Sequence, residues 1–94
     1  MKKSYRFVVR GRVQGVGFRY ATQVAARRFG LVGWVRNRQD GDVEGRVTGG
    51  DAIQLAAFRD FLEHGPPAAV VEDLSWNVAL PTGNAPSNFA IRRD

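Results

Sequence analysis

Two stretches of the chain hold residue types that could do chemistry. The first is Gln14-Gly15-Val16-Gly17-Phe18-Arg19-Tyr20, where two glycines separate an alternating segment from a helical one. Glycine at such a junction lets the backbone bend tightly and come close to a ligand. The helix that follows offers unpaired N–H groups at the positive end of its dipole. That combination favours anions, phosphate above all. Arg19 adds a planar guanidinium that can grip phosphate through two parallel hydrogen bonds. A plain glycine turn beside a surface arginine fits the same residues, and on this stretch alone the two readings stand level. Neither standard nucleotide signature is present: no Lys-Ser or Lys-Thr follows the glycines, and the third glycine of the dinucleotide fingerprint is missing. The second stretch is Leu31-Val32-Gly33-Trp34-Val35-Arg36-Asn37, which ends on a polar amide.

The elements around these residues determine whether they can meet. Tyr5, Phe7, Val9, Gly11 and Val13 alternate with Arg6, Val8, Arg10 and Arg12, the period of a half-buried strand. From Phe18 the period becomes helical, with Phe18, Ala21, Ala25 and Phe29 on one face and Gly30 placed to end the helix. Leu31 to Asn37 is a second strand, Asp40-Gly41 a hairpin signal, and Val43 to Val47 a third strand. After Gly49-Gly50, Asp51 can cap a second helix with Leu55, Phe58 and Leu62 as its buried stripe. Gly65-Pro66-Pro67 stops that helix. Val70 to Leu80 is a fourth strand with Leu74, Trp76, Val78 and Leu80 on one face. Pro81-Thr82-Gly83-Asn84 is a turn or loop, and Phe89-Ala90-Ile91 is a short closing strand.

The order β-α-β-β-α-β with a short extra strand predicts an α+β, ferredoxin-like sandwich. Two helices cover one face of a mostly antiparallel sheet of four to five strands. A strand joined through a helix to another strand of its sheet runs parallel to it. The C-terminal ends of the first two strands then share one edge, which brings Gly15–Arg19 and Asn37 together. Asn37 has the parity of Leu31 and Val35 and is expected to lean toward the helix layer.

The bulk numbers set the frame. Ninety-four residues suit one domain, here residues 1–94 as a free-standing unit. With 44% hydrophobic and 24% charged residues the composition is that of a globular chain, not a disordered one. No stretch has the length of a membrane-spanning helix, so no membrane partner is expected. Met-Lys-Lys-Ser-Tyr-Arg runs straight into a strand pattern without the apolar run of a signal peptide, which predicts a cytoplasmic protein. The absence of cysteine excludes disulfides and thiolate chemistry. A net charge of +5 favours anionic partners but does not choose among them.

Gly11-Arg12-Val13-Gln14-Gly15-Val16-Gly17-Phe18-Arg19 resembles the signature of the acylphosphatases. Gly33-Trp34-Val35-Arg36-Asn37, followed by Asp40-Gly41-Asp42-Val43-Glu44, is similar to that family's second signature. Gly65-Pro66-Pro67 and Phe89-Ala90-Ile91-Arg92 fit as well, so the resemblance covers nearly the whole chain. It implies an enzyme that hydrolyses the carboxyl–phosphate bond of small acyl phosphates without a metal or other cofactor. It implies phosphate binding by Gln14, Gly15, Val16, Gly17, Phe18, Arg19 and Tyr20, with Arg19 as a catalytic residue. Asn37, the second catalytic residue, would orient the attacking water. It further implies that the substrate's own phosphate can take the water's proton. The expected partners are a small acyl phosphate and inorganic phosphate, and the expected state is a monomer. The residues agree in kind: an acyl phosphate has a good leaving group, so catalysis mainly needs phosphate positioning and charge stabilisation.

The rival reading is an RNA-binding sheet, whose face opposite the helices would carry Arg6, Arg10, Arg12, Trp34, Arg36, Arg38 and Arg46. Gly15 to Tyr20 echoes the aromatic core of such a motif, but the segment leaves a strand and enters a helix instead of alternating along a central strand. Nucleic acid therefore ranks a distant second, and a regulatory phosphate-binding domain third. His64 at a helix end suits the helix dipole, Asp40 and Asp42 suit turn chemistry, and Trp34 and Trp76 suit packing.

Overall fold

Alternation makes the first strand, β1 (Ser4–Arg12). Phe7 and Val9 on one side are fully buried, while Arg6 and Arg10 on the other are exposed. The computed structural model describes residues 3–80 and 86–93. After β1 come α1 (Phe18–Arg28), β2 (Val32–Asn37), β3 (Val43–Thr48), α2 (Ala52–His64), β4 (Val70–Ala79) and β5 (Phe89–Arg92). The five strands form one sheet in the order β4-β1-β3-β2-β5. Only β2 and β5 pair in parallel; the other three pairings are antiparallel. This is the expected ferredoxin-like sandwich. β1 and β2 run the same way but are not neighbours, because β3 returns between them and pairs with both.

The two helices are held by different devices. Gly30 takes φ 69° just past α1. Its N–H donates to the Arg27 carbonyl (3.1 Å) and that of Leu31 to the Ala26 carbonyl (2.9 Å), closing the orphan carbonyls of the helix end. At the start of α2, the Asp51 carboxylate accepts from the Gln54 N–H (2.8 Å). The Gln54 side chain accepts from the Asp51 N–H (2.9 Å), a reciprocal cap. Phe58 and Leu62 are fully buried and Leu55 half-buried, as the stripe predicts. The face of α1 differs from expectation. Its buried residues are Phe18, Thr22 and Ala26, with Ala25 and Phe29 beside them and Ala21 to one side. Thr22 can occupy the core because its hydroxyl donates to the Phe18 carbonyl one turn back (2.8 Å).

The core lies between the sheet and the helices. Phe58 of α2 meets Phe7 of β1 and Phe89 of β5 edge-on, at ring separations of 5.8 and 6.0 Å. The Phe7 ring lies over Gly45 on the neighbouring strand, where a Cβ would stand 2.3 Å from it. Along β4 the expected parity holds, with Leu74 opposite Val9, Trp76 opposite Phe7 and Val78 opposite Tyr5. Burial does not follow it to the end. Val78 is 75% and Leu80 85% exposed, because β4 is an edge strand and the packed side chains reach only as far as Trp76. The turn expected at Pro81-Thr82-Gly83-Asn84 lies outside the described residues. Among the described residues no helix is long and apolar enough to cross a membrane.

The face of the sheet away from the helices gathers charge, but most of it is used internally. Glu44 is buried on β3 and accepts from Arg6 (2.6 Å) and from the Arg36 Nε (2.6 Å). Arg10 pairs with Asp42 (3.5 Å), and Arg38 with Asp40 (2.9 Å) in the turn after β2. Arg92 lies over the Trp34 ring. Burial alone would raise the Glu44 carboxyl, but the hydrogen bonds and charges of Arg36 and Arg6 outweigh it and hold the group below its ordinary value. A carboxylate lowered in the folded state adds stability above the unfolded-state value and loses it as pH falls through the folded one. Glu44→Gln is therefore expected to cost about 1 kcal/mol near neutrality, modest because both arginines reach solvent. The gap to the unsubstituted protein should close as pH drops below about 4.3, the ordinary glutamate range. Urea unfolding of both proteins between pH 7 and 3 checks this.

Candidate active site

The segment between β1 and α1 is shaped by two left-handed glycines. Gly15 has φ 75° and Gly17 φ 78°, and Val16 between them has negative φ. Nothing lies within 4 Å of a Cβ built at either glycine, so backbone conformation and not crowding selects the residue. Alternating φ signs turn successive N–H groups toward one side and make an anion-binding concavity. Gly17 caps α1 without a side-chain hydrogen bond. None of the N–H groups from Gly15 to Tyr20 meets an acceptor among the described residues. The first protein-bound amide is that of Ala21, which donates to the Gly17 carbonyl (3.0 Å).

Burial of Phe18 fixes the orientation of this edge. Its ring packs against Phe61 of α2 at 6.2 Å and fills the space over Gly65, where a Cβ would stand 2.5 Å from it. The glycine before Pro66-Pro67 therefore positions the start of α1 as well as ending α2. With Phe18 anchored inward, Arg19 is half-buried and Tyr20 67% exposed. The Arg19 guanidinium has no carboxylate partner among the described residues.

Asn37 closes the other side. It is the last residue of β2, opposite Val43, and shares the side of Val35 that faces the helices. Its side-chain amide has no hydrogen-bond partner among the described residues. A cleft of about 230 Å³ brings Asn37 together with Gly15, Gly17, Phe18, Arg19 and Tyr20, although β3 separates the two strands that deliver them. A larger depression on the outer side of Asn37, lined by Arg36 to Asp40, lacks the amide donors.

Two residues of the segment turn their side chains elsewhere. Val16 packs against the core, and neither Val16 nor Gln14 lines the cleft. The Gln14 side chain donates to the Arg38 carbonyl (2.7 Å) and to the Asp42 carbonyl (2.9 Å). It ties the glycine segment to the turn that follows Asn37. Two cleft residues escaped the sequence reading, Ile91 and Arg93 at the end of β5. The parallel pairing of β5 with β2 puts them there, and a four-residue strand at the chain end carries little signal of it.

The side chains read as structural are so placed. The His64 ring bonds the Asp60 carbonyl (2.9 Å) at the end of α2. The Asp40 carboxylate accepts from the Asp42 N–H (3.0 Å) within the β2–β3 turn. Trp76 stacks on Tyr5 at 4.8 Å. No group of three His, Cys, Asp or Glu among the described residues could hold a metal ion.

Residues 5–91 match the acylphosphatase family model. The chain belongs to the acylphosphatase family. It is 46% identical over 88 residues to the acylphosphatase of Actinobacillus succinogenes, covering 94% of this chain and 96% of that one. Among solved structures, it superposes on an acylphosphatase from Bacillus subtilis with a TM-score of 0.86 at 39% identity, covering 98% and 99% of the two chains. A Coxiella burnetii acylphosphatase gives 0.87 at 32% identity, covering 97% and 93%. The activity is therefore that of an acylphosphatase, hydrolysis of the carboxyl–phosphate bond of an acyl phosphate to a carboxylate and inorganic phosphate.

Proposed function

We propose that this acylphosphatase holds the substrate phosphate in the segment Gln14 to Tyr20 and attacks it with a water positioned by Asn37. The single observation behind this reading is the run of unpartnered amides from Gly15 to Tyr20 beside an arginine without a carboxylate partner. Phosphate oxygens are the acceptors such a cradle suits. Gln14 acts by holding the segment in place, and Val16 through its backbone. The Asn37 amide can accept a hydrogen bond from water and so aim an oxygen lone pair at phosphorus. Attack opposite the acyl oxygen breaks the P–O bond, and the carboxylate leaves without needing a proton. Charge building on the equatorial phosphate oxygens is met by Arg19 and the amides. No carboxylate or imidazole among the described residues lines the cleft, and the water's proton passes, as the family resemblance implies, to a phosphate oxygen of the substrate.

Residues 1–94 act as one unit on this reading, as a cytoplasmic monomer with no metal and no nucleic-acid partner. The test is selectivity. The purified protein should release phosphate from benzoyl phosphate after exhaustive chelation and leave an alkyl phosphate monoester nearly untouched, because the monoester's alkoxide leaves far less readily. Equal rates on the two, or activity restored only by a divalent ion, would overturn the mechanism.

A further inference from the structure

The glycine segment and Asn37 come from strands that are not neighbours, and at this end the sheet does not join them. The β1–β3 ladder ends with Val9 opposite Val43. Beyond Val9, β1 pairs with β4, on the side away from β2. Across the gap run the Arg10–Asp42 ion pair at the surface (3.5 Å) and the side chain of Gln14, which is half-buried. The Gln14 Nε2 carries two hydrogens. One meets the Arg38 carbonyl (2.7 Å) and the other the Asp42 carbonyl (2.9 Å). Those carbonyls flank the pair that Asn37 makes with Val43: Arg38 follows Asn37, and Asp42 precedes Val43. The turn they belong to is bonded to itself. The Arg38 N–H donates to the Asp42 carbonyl (2.8 Å), the Gly41 N–H to the Arg38 carbonyl (3.3 Å) and the Asp42 N–H to the Asp40 carboxylate (3.0 Å). Gln14 therefore fastens the segment to a closed turn directly beside Asn37.

We propose that Gln14 is a positioning residue for the hydrolysis, which sets the distance and angle between the phosphate grip and Asn37 and so aligns the water with phosphorus. The inference rests on the catalytic reading above and goes beyond holding the segment's own shape. That shape is local, set by the left-handed Gly15 and Gly17 and by the burial of Phe18. The amides and Arg19 follow from it, and can hold phosphate whether or not the segment is fastened to the turn. In-line attack depends instead on how the two halves stand to each other, where a displacement of about 1 Å can cost on the order of 10²-fold in rate. An amide with both donors taken by fixed carbonyls has one orientation, which is what such alignment needs.

Gln14→Ala and Gln14→Met separate alignment from grip. Methionine keeps the length and removes both donors. Neither turn carbonyl is orphaned by the loss, because the amides of Arg38 and Gly41 still meet them, so both variants should fold, as thermal unfolding checks. Each is expected to lower kcat on benzoyl phosphate about 10- to 100-fold, with KM and the inhibition constant of inorganic phosphate within about threefold. A double-mutant cycle with Asn37 tests the route. In the Asn37→Ala background, loss of Gln14 should cost no more than about twofold further, whereas independent effects would multiply. Loss of phosphate inhibition in step with kcat would put Gln14 in the grip and overturn the proposal. Multiplying losses in the double variant would overturn it too, as would full kcat in Gln14→Met. Asn37→Ala at full turnover would instead bring down the catalytic reading, and this inference with it.

Discussion

Arg19→Ala is expected to lose phosphate binding and turnover together, with turnover falling about 10²- to 10³-fold. The guanidinium stands in the cleft beside the unpartnered amides and has no carboxylate partner among the described residues. On the proposed mechanism it meets the phosphate in the bound substrate and again as charge redistributes over the equatorial oxygens, and so contributes to ground-state affinity and to the barrier. Arg19→Lys should recover part of each, because an ammonium supplies charge but cannot make two parallel hydrogen bonds. Folding should not suffer. Arg19 is paired with no acid whose charge its removal would strand, and the inward anchor of the helix start is Phe18. Calorimetry with inorganic phosphate, set beside turnover on benzoyl phosphate, measures both effects. The shift of Tm by phosphate gives an independent reading, present in the unsubstituted protein and absent in Arg19→Ala. An Arg19→Ala protein that still bound phosphate normally would remove Arg19 from the cradle.

What could be read before the structure depended on whether a signal was local. The glycines at 15 and 17 announce the left-handed bends they adopt, because each conformation belongs to one residue. The parity of Asn37 with Val35 carries across into space, because a strand alternates without exception over so short a run. Asp51 announces its cap through Gln54 three residues on. The misreadings turn on what a side chain meets once the chain is folded. The buried face of α1 was judged on apolar side chains, which pointed to Ala21; the true face includes Thr22, admitted by a hydrogen bond to its own helix. Val78 and Leu80 alternate correctly but lie beyond the packed layer, a matter of how far the core side chains reach along an edge strand.

The site divides along the same line. Gln14 sits inside the glycine segment and looks like part of the cradle. Its amide is taken by two carbonyls more than twenty residues away, a contact that exists only once β3 has folded between β1 and β2. The same return strand keeps the ends of β1 and β2 one strand apart, and the cleft is the space this leaves between the glycine segment and Asn37. Arg93 joins the cleft through the parallel pairing of β5, which no local pattern near the chain end reveals. The rival nucleic-acid surface was composed of arginines counted one by one. Glu44, Asp40 and Asp42 use four of them in ion pairs, and Arg38 leaves the strand face for the turn.

Asn37→Ala is expected to separate what Arg19→Ala leaves joined: turnover should fall about 10²- to 10³-fold while inorganic phosphate still binds nearly as before. On the proposed mechanism the cradle consists of amides of the Gly15–Tyr20 segment and of Arg19, and the Asn37 side chain hydrogen-bonds to none of them. The segment is tied to the β2–β3 turn by Gln14 through the carbonyls of Arg38 and Asp42, so the cleft should keep its shape when Asn37 is shortened. What is lost is one hydrogen-bonding amide facing the side of the phosphate from which water must come. Without it the water still reaches phosphorus, but from many directions, and the entropy of alignment returns to the barrier. The loss should therefore fall on kcat, with KM and the phosphate inhibition constant little changed. Asn37→Asp is the sharper companion. It keeps the size and an acceptor but sets a negative charge beside the phosphate, so it should weaken phosphate binding as well as turnover. Circular dichroism and thermal unfolding establish that each variant is folded before its kinetics are compared. If Asn37→Ala lost phosphate binding as completely as Arg19→Ala, the asparagine would belong to the phosphate grip, and water would have to be positioned by another group of the cleft.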